Sequence, residues 1–272
     1  MSKSSGKRSN KLLRPPGRLL RQIGFGLLLT AAVPASGAEA AKPLNRSISP
    51  SRQFVVYAAD SRIRLRLTTQ TDDAAALWRD WTGLKKEWQT PIILSLADSA
   101  KGRPRTGIRT SLSEADGGTS KIQVEVLDPA RASASDLMAE IFRALALEAS
   151  YRDHPPKSGK SYRLAPDWMV EGLAEEMRTR ADGVPSRVIE GLLNAPKKPS
   201  VMDLLRGRPP TIPLERDLYR MLSLAFLRTL SQLPEGRTGI RQLISLIPET
   251  ELTPEQILKA FPLPPIRSGK SR

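Results

Sequence analysis

The sequence predicts an α+β fold, in which a small N-terminal mixed β-sheet with one packing helix precedes an α-helical part. Short apolar or alternating segments occur only before about residue 130, at 53–57, 63–67, 91–96 and 122–126. From residue 136 onward, apolar residues recur three and four positions apart, which is typical of amphipathic helices. A chain of 272 residues is long enough to bury a substantial core.

The segments of the β-rich half differ in their patterns of apolar, charged and glycine residues, and each pattern predicts a different element. Segment 53–57 is a mostly apolar strand, and 63–67 alternates apolar residues with arginine, which predicts a half-buried strand. A helix is expected over 72–88, followed by an apolar strand after Pro91. The stretch 97–120 is rich in glycine and predicts loops with a short edge strand near 108–112, before the alternating strand at 122–126.

The second half is predicted to be helical. Residues 136–150 and 166–178 each present one coherent apolar face, and Pro166 fits a first helical turn. Thr253 and Gln256 form a capping-box start for a last helix that ends near Phe261. The remaining helices are expected at 185–194, 201–206, 215–232 and 237–247.

The first 38 residues have the layout of a signal peptide. Seven basic residues and no acidic one precede an apolar run at 23–33, and small residues follow up to Ala38. Cleavage is expected after Ala38, with Ala40 as the second choice. The alternative is an uncleaved anchor, although the run is about half the ~20 residues that a spanning helix needs. No later stretch is apolar enough to span a bilayer, so the mature protein is expected in the periplasm or outside the cell.

Composition restricts the chemistry that the mature chain can perform. It contains no cysteine, which excludes disulfides and thiolate chemistry, and its one histidine is His154. Removing the seven basic residues of 1–38 lowers the formal charge from +15 to +8. These charges form no compact basic stripe with interleaved aromatics, so weak binding to an anionic surface or polymer is conceivable, whereas sequence-specific nucleic-acid binding is not supported.

The segment from Ala165 to Glu175 reads A-P-D-W-M-V-E-G-L-A-E. It resembles the P-x-W-hydrophobic-x-E-G-hydrophobic-A-E segment of the gluzincin peptidases, in particular the peptidase MA-like superfamily. The resemblance covers about residues 53–262 and implies a zincin-like helical subdomain. The predicted domain extends over 51–262 and is divided into a β-rich half at 51–130 and a helical half at 131–262. Outside it lie the signal peptide at 1–38, a polar lead-in at 39–50 and a basic disordered tail at 263–272.

In this family, a helix carrying H-E-x-x-H supplies two zinc-binding histidines and a general base, and the glutamate that Glu171 matches is the third ligand. Aligned on Glu140, the motif here reads Ala139-Glu140-Ile141-Phe142-Arg143. Alanine offers no lone pair, and a permanently cationic arginine repels a divalent metal. The resemblance therefore implies a degenerate member without catalytic residues, metal or cofactor.

The positions of the former substrate cleft are the candidate binding residues: Glu140, Arg143, Trp168, Glu171 and Glu175. We expect Arg143 to take over the charge of the metal by pairing with Glu140, Glu171 or both, and a peptide or protein segment to bind in the cleft. The alternatives without a binding role are that the charged residues form a solvated polar face and that Trp168 packs in the core. Two further functions remain open at this stage: a hydrolase with a rebuilt, carboxylate-based centre, and a basic binder of anionic polymer.

Overall fold

A computed structural model describes residues 45–84, 87–96, 107–115, 119–153, 155–156, 161–183, 190, 194 and 200–261. The predicted signal peptide, the tail, His154 and nearly all of the helix predicted at 185–194 lie outside these residues. The strands are β1 (Arg46–Ile48), β2 (Phe54–Tyr57), β3 (Ile92–Leu96), β4 (Ile108–Ala115) and β5 (Thr119–Val126). The helices are α1 (Ser61–Thr82), α2 (Ala134–Tyr151), α3 (Asp167–Asp182), α4 (Val201–Arg206), α5 (Pro213–Gln232), α6 (Gly236–Leu246) and α7 (Pro254–Lys259).

The five strands form one mixed sheet in the order β1-β2-β3-β5-β4. Strands β2, β3 and β5 are parallel to one another, and β1 and β4 pair antiparallel with β2 and β5. The α+β class predicted from the sequence is therefore confirmed: the sheet comes first and the helices follow. Strand β1 lies within the segment that the sequence analysis described only as a polar lead-in.

The core of the sheet consists of apolar rows that cross the parallel strands in register. Phe54 pairs with Ile92 and Ile92 with Ile122, while the next buried row joins Val56, Leu94 and Val124. All six side chains are almost completely buried. Because alternate residues of a strand share one face, these rows form a single apolar surface, against which α1 and α2 pack.

The predicted strand at 63–67 is wrong, because these residues belong to α1. Asp60 caps this helix: its carboxylate accepts from the backbone N–H groups of Arg62 and Ile63. The helical period then buries Leu67 and leaves Leu65 exposed by 70%, which a strand would have placed on the same face. The helix ends at Thr82, earlier than predicted, because Gly83 adopts the left-handed conformation that closes a helix.

The other elements agree more closely with the sequence. Strand β4 is an edge strand as predicted, but it extends to Ala115. Helices α2 to α7 fall within a few residues of the predicted segments. No helix among the described residues is long and apolar enough to cross a membrane.

Helices α3 and α5 approach each other unusually closely. A Cβ atom added to Gly172 of α3 would lie 2.6 Å from Leu227 Cδ1 and 2.9 Å from the backbone of Ser223, both on α5. Only glycine fits at this crossing without displacing backbone. The close approach brings the polar residues of α5 within reach of the segment that carries the sequence resemblance.

Candidate functional site

Helix α2 places Ala139, Glu140 and Arg143, which the sequence resemblance aligns with a zinc-binding motif, at the junction of the sheet and the helical layer. Ser133 caps its first turn by accepting from the backbone N–H of Asp136. Ala139 is buried in the apolar core, whereas Glu140 and Arg143 keep a small exposed fraction. The two motif positions that would carry zinc-binding histidines are therefore a core methyl group and a guanidinium.

The Arg143 guanidinium connects α2 to the start of α3. Its Nε donates to Glu140 Oε1 at 3.2 Å, its Nη2 to Asp167 Oδ1 at 2.9 Å, and its Nη1 to the carbonyl oxygen of Ala165 at 3.4 Å. Burial lowers the pKa of Arg143, but the two carboxylates more than offset this and hold the pKa above its ordinary value. The side chain is therefore a fixed cation with its donors engaged on both helices.

The expected pairing of Arg143 is correct for Glu140 and wrong for Glu171. Asp167, the first residue of α3, takes the place expected of Glu171. Glu171 is one helical turn further along, 1% exposed, and its two oxygens are bound from α5: Oε1 by Arg216 at 2.9 Å and Oε2 by Arg220 at 2.7 Å. Two guanidiniums, neither of them Arg143, therefore neutralise the carboxylate that matches the third zinc ligand.

The same two arginines also bind α2. Asp136 Oδ1 accepts from Arg220 at 2.5 Å and contacts Arg216 at 3.0 Å. Asp136, Glu171, Arg216 and Arg220 thus form a group of two carboxylates and two guanidiniums that joins α2, α3 and α5. We call these four residues the charge cluster. Because both oxygens of the buried Glu171 are bound by guanidiniums, this carboxylate is unsuited to act as a base or a metal ligand.

Trp168 and Glu175, the other candidate binding residues, lie in helix packing. Trp168 is almost completely buried, and its ring meets Phe226 of α5 edge-on, with ring centroids 5.2 Å apart. Glu175 is buried and accepts from Arg178, one turn further along α3. The structure thus brings Glu140 and Arg143 together, and it holds Glu171, Trp168 and Glu175 in contacts with other partners.

Arg143 pairs with one lining residue of each of two surface cavities. The first, of about 460 Å³, is lined by Glu140, the β4 start and Arg216; we call it the α2 cavity. The second, of about 480 Å³, is lined by Asp167, Trp168 and the segment before α3; we call it the α3 cavity. Because Arg143 pairs with Glu140 and with Asp167, its ion pairs connect a lining residue of the α2 cavity to a lining residue of the α3 cavity.

Strand β4 adds a sheet edge to this region. Leu127 N donates to Gly107 O at 3.0 Å, and in an antiparallel ladder alternate residues bond to the partner strand. Ile108, Thr110, Leu112 and Glu114 therefore direct their N–H and C=O groups away from β5. In agreement, the carbonyl of Thr110 accepts from the Tyr162 hydroxyl at 3.5 Å. Ile108 lines the α2 cavity and Tyr162 lines the α3 cavity, so this edge borders both.

The zinc ion that the sequence resemblance would imply does not fit these residues. Ala139 has no donor atom, Arg143 carries a positive charge at the second ligand position, and both oxygens of Glu171 are bound to guanidiniums. Within the described ranges, no group of three or more His, Cys, Asp or Glu residues is arranged to hold a metal.

Sequence reasoning found Glu140 and Arg143 but missed Asp136, Asp167, Arg216 and Arg220. A signal for the arginines existed, since they lie one turn apart on a helix and Arg220 falls on its buried side. Comparison of the chain with protein-family models gave no match, and comparison with curated proteins found no similar sequence.

Proposed function

We propose that the protein is an exported, catalytically inactive member of the peptidase MA-like superfamily that binds an extended peptide or protein segment. The observation that carries this proposal is the position of Arg143. Its guanidinium, together with Ala139, occupies the two places where histidines would hold zinc, and it is fixed by Glu140 and Asp167. This ion-paired cation is bonded to one lining residue of each of the two cavities, which supports a binding role for the region.

Loss of hydrolysis follows from the chemistry of these residues. A zinc-activated water requires three protein ligands around an open position. Here one ligand position is a methyl group, one is a cation, and the third, Glu171, is neutralised by Arg216 and Arg220. Glu140, the residue that matches the general base, accepts a hydrogen bond from Arg143, so one of its oxygens is already engaged.

Binding of an extended segment is supported by the edge of β4. Its outward N–H and C=O groups have the direction that an added strand requires, and at Thr110 such a strand would replace the contact from the Tyr162 hydroxyl. Strand addition at a sheet edge is a common mode of peptide recognition. The α2 and α3 cavities border this edge and provide room for side chains of the added segment. Backbone pairing would supply affinity, and the cavities would supply selectivity.

Export is proposed from the first 38 residues. Their basic, apolar and small-residue parts follow the order of a signal peptide, which supports the proposal that the mature protein acts in the periplasm or outside the cell. Protein sequencing of the product from the native producer tests this directly. An N-terminus at Glu39 or Ala41 is expected, whereas an intact Met1 would contradict cleavage.

The binding proposal is tested with a displayed library of random decapeptides and the natively processed protein. Enriched peptides are resynthesised with single N-methyl groups along the backbone. A strand paired along β4 uses the N–H groups of alternate residues, so methylation should abolish binding at one parity and leave it nearly unchanged at the other. The set of alternate residues whose N–H groups point away from β4 serves as the internal control, because their methylation should not affect binding. Absence of enrichment, or insensitivity to methylation at both parities, contradicts the proposal.

Inactivity requires a separate measurement on the same preparation. Metal content and peptidase turnover are measured for the protein as produced and for a Glu140→Ala/Glu171→Ala double variant. We expect neither stoichiometric metal nor turnover in either protein. Bound metal with turnover, both lost in the double variant, would establish instead a hydrolase with a rebuilt carboxylate centre.

A further inference from the structure

The α3 cavity is surrounded by three arginines from two segments of the chain. Arg163 precedes α3, Arg206 ends α4 and Arg208 follows it. Leu164 and Leu205 add apolar surface, and Leu164 is half exposed. The cavity therefore combines guanidinium donors with an apolar wall.

The positive charge of these arginines is only weakly compensated. Arg163 donates to the carbonyl oxygen of Pro248 at 2.9 Å, which fixes the side chain without neutralising it. Arg206 approaches Glu255 to 3.9 Å, but both side chains are more than 60% exposed, so this ion pair is weak. Arg208 forms no ion pair with the described residues.

The carboxylates that line the cavity do not cancel this charge. They are Asp167 and Glu251, and Asp167 already accepts from Arg143 on its other side. Glu251 is exposed and forms no ion pair within the described part of the chain. Three guanidiniums therefore face one uncommitted carboxylate, which leaves this cavity attractive to anions.

Tyr162 connects this cavity to the edge of β4. The residue lines the cavity, and its hydroxyl contacts the outward carbonyl of Thr110. Tyr162 is therefore shared by the wall of the α3 cavity and the edge of β4, so the two are adjacent at Thr110.

We propose that the α3 cavity selects an acidic peptide, by receiving an Asp or Glu side chain or a terminal carboxylate of the segment bound along β4. This inference rests on the proposed function and specifies its ligand. Guanidiniums bind carboxylates through paired N–H donors, and the leucines accommodate the methylene groups of a glutamate. An acidic peptide suits the surface better than a nucleic acid, because the arginines lie around one cavity of about 480 Å³ and not along a stripe that could follow a phosphate backbone.

The peptide library distinguishes this inference from the proposed function. Enriched decapeptides are expected to carry more Asp and Glu than the unselected library, and their binding should weaken as salt is raised. If nothing is enriched, the proposed function fails and this inference fails with it. If enriched peptides obey the N-methyl parity rule but lack excess acid, only the inference is overturned.

Charge reversal then locates the acidic contact. Arg208→Glu is the main variant, because Arg208 is exposed and its loss breaks no ion pair with the described residues. We expect about tenfold weaker binding of an enriched acidic peptide. The matched control is Arg62→Glu on α1, which is also exposed. Equal weakening by both variants would indicate a general attraction to a basic surface and would overturn the inference, as would no weakening by Arg208→Glu.

A second variant, Arg163→Glu, tests the same cavity from its other side. Arg163 also fixes the loop at Pro248, so both the thermal unfolding and the peptide affinity of the Arg163→Glu variant are compared with those of an Arg163→Met variant. The methionine variant loses the same anchor without introducing a negative charge. A further loss of affinity in the glutamate variant over the methionine variant is expected, and identical affinities would overturn the assignment of Arg163 to the site.

Discussion

The β-sheet and the helical layer are held together by different interactions. In the sheet, rows of apolar side chains such as Phe54, Ile92 and Ile122 cross the strands in register. Between α2, α3 and α5, the buried contacts include the charge cluster, in which Glu171 and Arg220 are each less than 10% exposed. Apolar contacts are non-directional, whereas ion pairs require one relative position of their partners.

This difference explains why the two parts should respond differently to substitution. An apolar row tolerates small shifts, so its loss is mainly a matter of the volume removed. A buried ion pair that loses one partner leaves an uncompensated charge behind, which costs more than the pair itself contributes. The stability of the helical layer is therefore expected to be more sensitive to single substitutions than that of the sheet. The candidate site lies in this layer.

The largest effect is expected from Glu171→Ala. Removing this carboxylate leaves Arg220 buried with Asp136 at 2.5 Å and the more exposed Asp217 at 3.7 Å, and should lower the free energy of unfolding by about 3–5 kcal/mol. Chemical denaturation measures it. Glu249→Ala, which removes an exposed carboxylate, is the control and should change stability by less than about 0.5 kcal/mol. A loss below 1 kcal/mol for Glu171→Ala would contradict the comparison.

The sheet provides the matched apolar substitution. Leu94→Ala empties part of a buried row and should cost about 2–5 kcal/mol. Leu94 contributes no charge, so a double-mutant cycle with Glu171→Ala should be additive within about 0.5 kcal/mol. Strong coupling between these two positions would mean that the two parts do not act separately.

The next effect concerns the close crossing of α3 and α5. Gly172→Ala in an ordinary helix interior would stabilise by about 1 kcal/mol, but here the added methyl group meets Leu227 and the backbone of Ser223. We therefore expect a loss of about 1–3 kcal/mol, measured by denaturation. Adding Leu227→Ala should not restore stability, because the contact with the Ser223 backbone remains. A stabilised Gly172→Ala variant would show that the helices are free to separate.

The sequence predicted the elements of this fold better than their long-range contacts. The spacing of apolar residues and the helix-capping residues are local features of a sequence. They were sufficient to predict the parallel strands and the helices of the second half. The start of α1 was missed because Ile63, Leu65 and Leu67 alternate with arginine, although Asp60 already supplied a cap.

The candidate site shows the same limit. Glu140 and Arg143 are three residues apart on one helix, and a pair with this spacing can be predicted from the sequence. The partners of Glu171 lie 45 and 49 residues further along, and their arrival depends on how closely α5 crosses α3 at Gly172. The spacing of apolar residues within a helix contains no information on the distance between α3 and α5. The charge cluster was therefore not predicted.

A smaller loss is expected from Arg143→Met. The substitution removes the bonds to Glu140 and Asp167, but these carboxylates are 21% and 29% exposed and remain partly hydrated. We expect a loss of about 1–2 kcal/mol, below that of Glu171→Ala. Arg131→Met is the control, because Arg131 is 79% exposed and lies 3.6 Å from Asp128, which predicts about 0–0.5 kcal/mol. A loss as large as that of Glu171→Ala would place Arg143 among the fully buried charges.

The last prediction concerns Tyr219 of α5, whose hydroxyl is influenced by two carboxylates of α3, Asp167 and Glu171. Burial raises the pKa of its hydroxyl, and the negative charges of Asp167 and Glu171 raise it further. The folded protein therefore keeps this proton at a pH where the unfolded chain, with a pKa near 10, has lost it. Stability from this residue is complete below about pH 10 and is lost as the pH rises towards the folded pKa, by at most ~1.4 kcal/mol per pH unit.

Tyr219→Phe removes this titration. The unfolding free energy of the variant, measured by denaturation at pH 9, 10 and 11, should therefore fall less steeply above pH 10 than that of the unsubstituted protein. Tyr57→Phe in β2 is the control, since Tyr57 is partly exposed and pairs within the sheet. Parallel pH profiles for the protein and its Tyr219→Phe variant would mean that the charges around α3 do not act on Tyr219, and that the electrostatic contrast between helical layer and sheet is smaller than proposed.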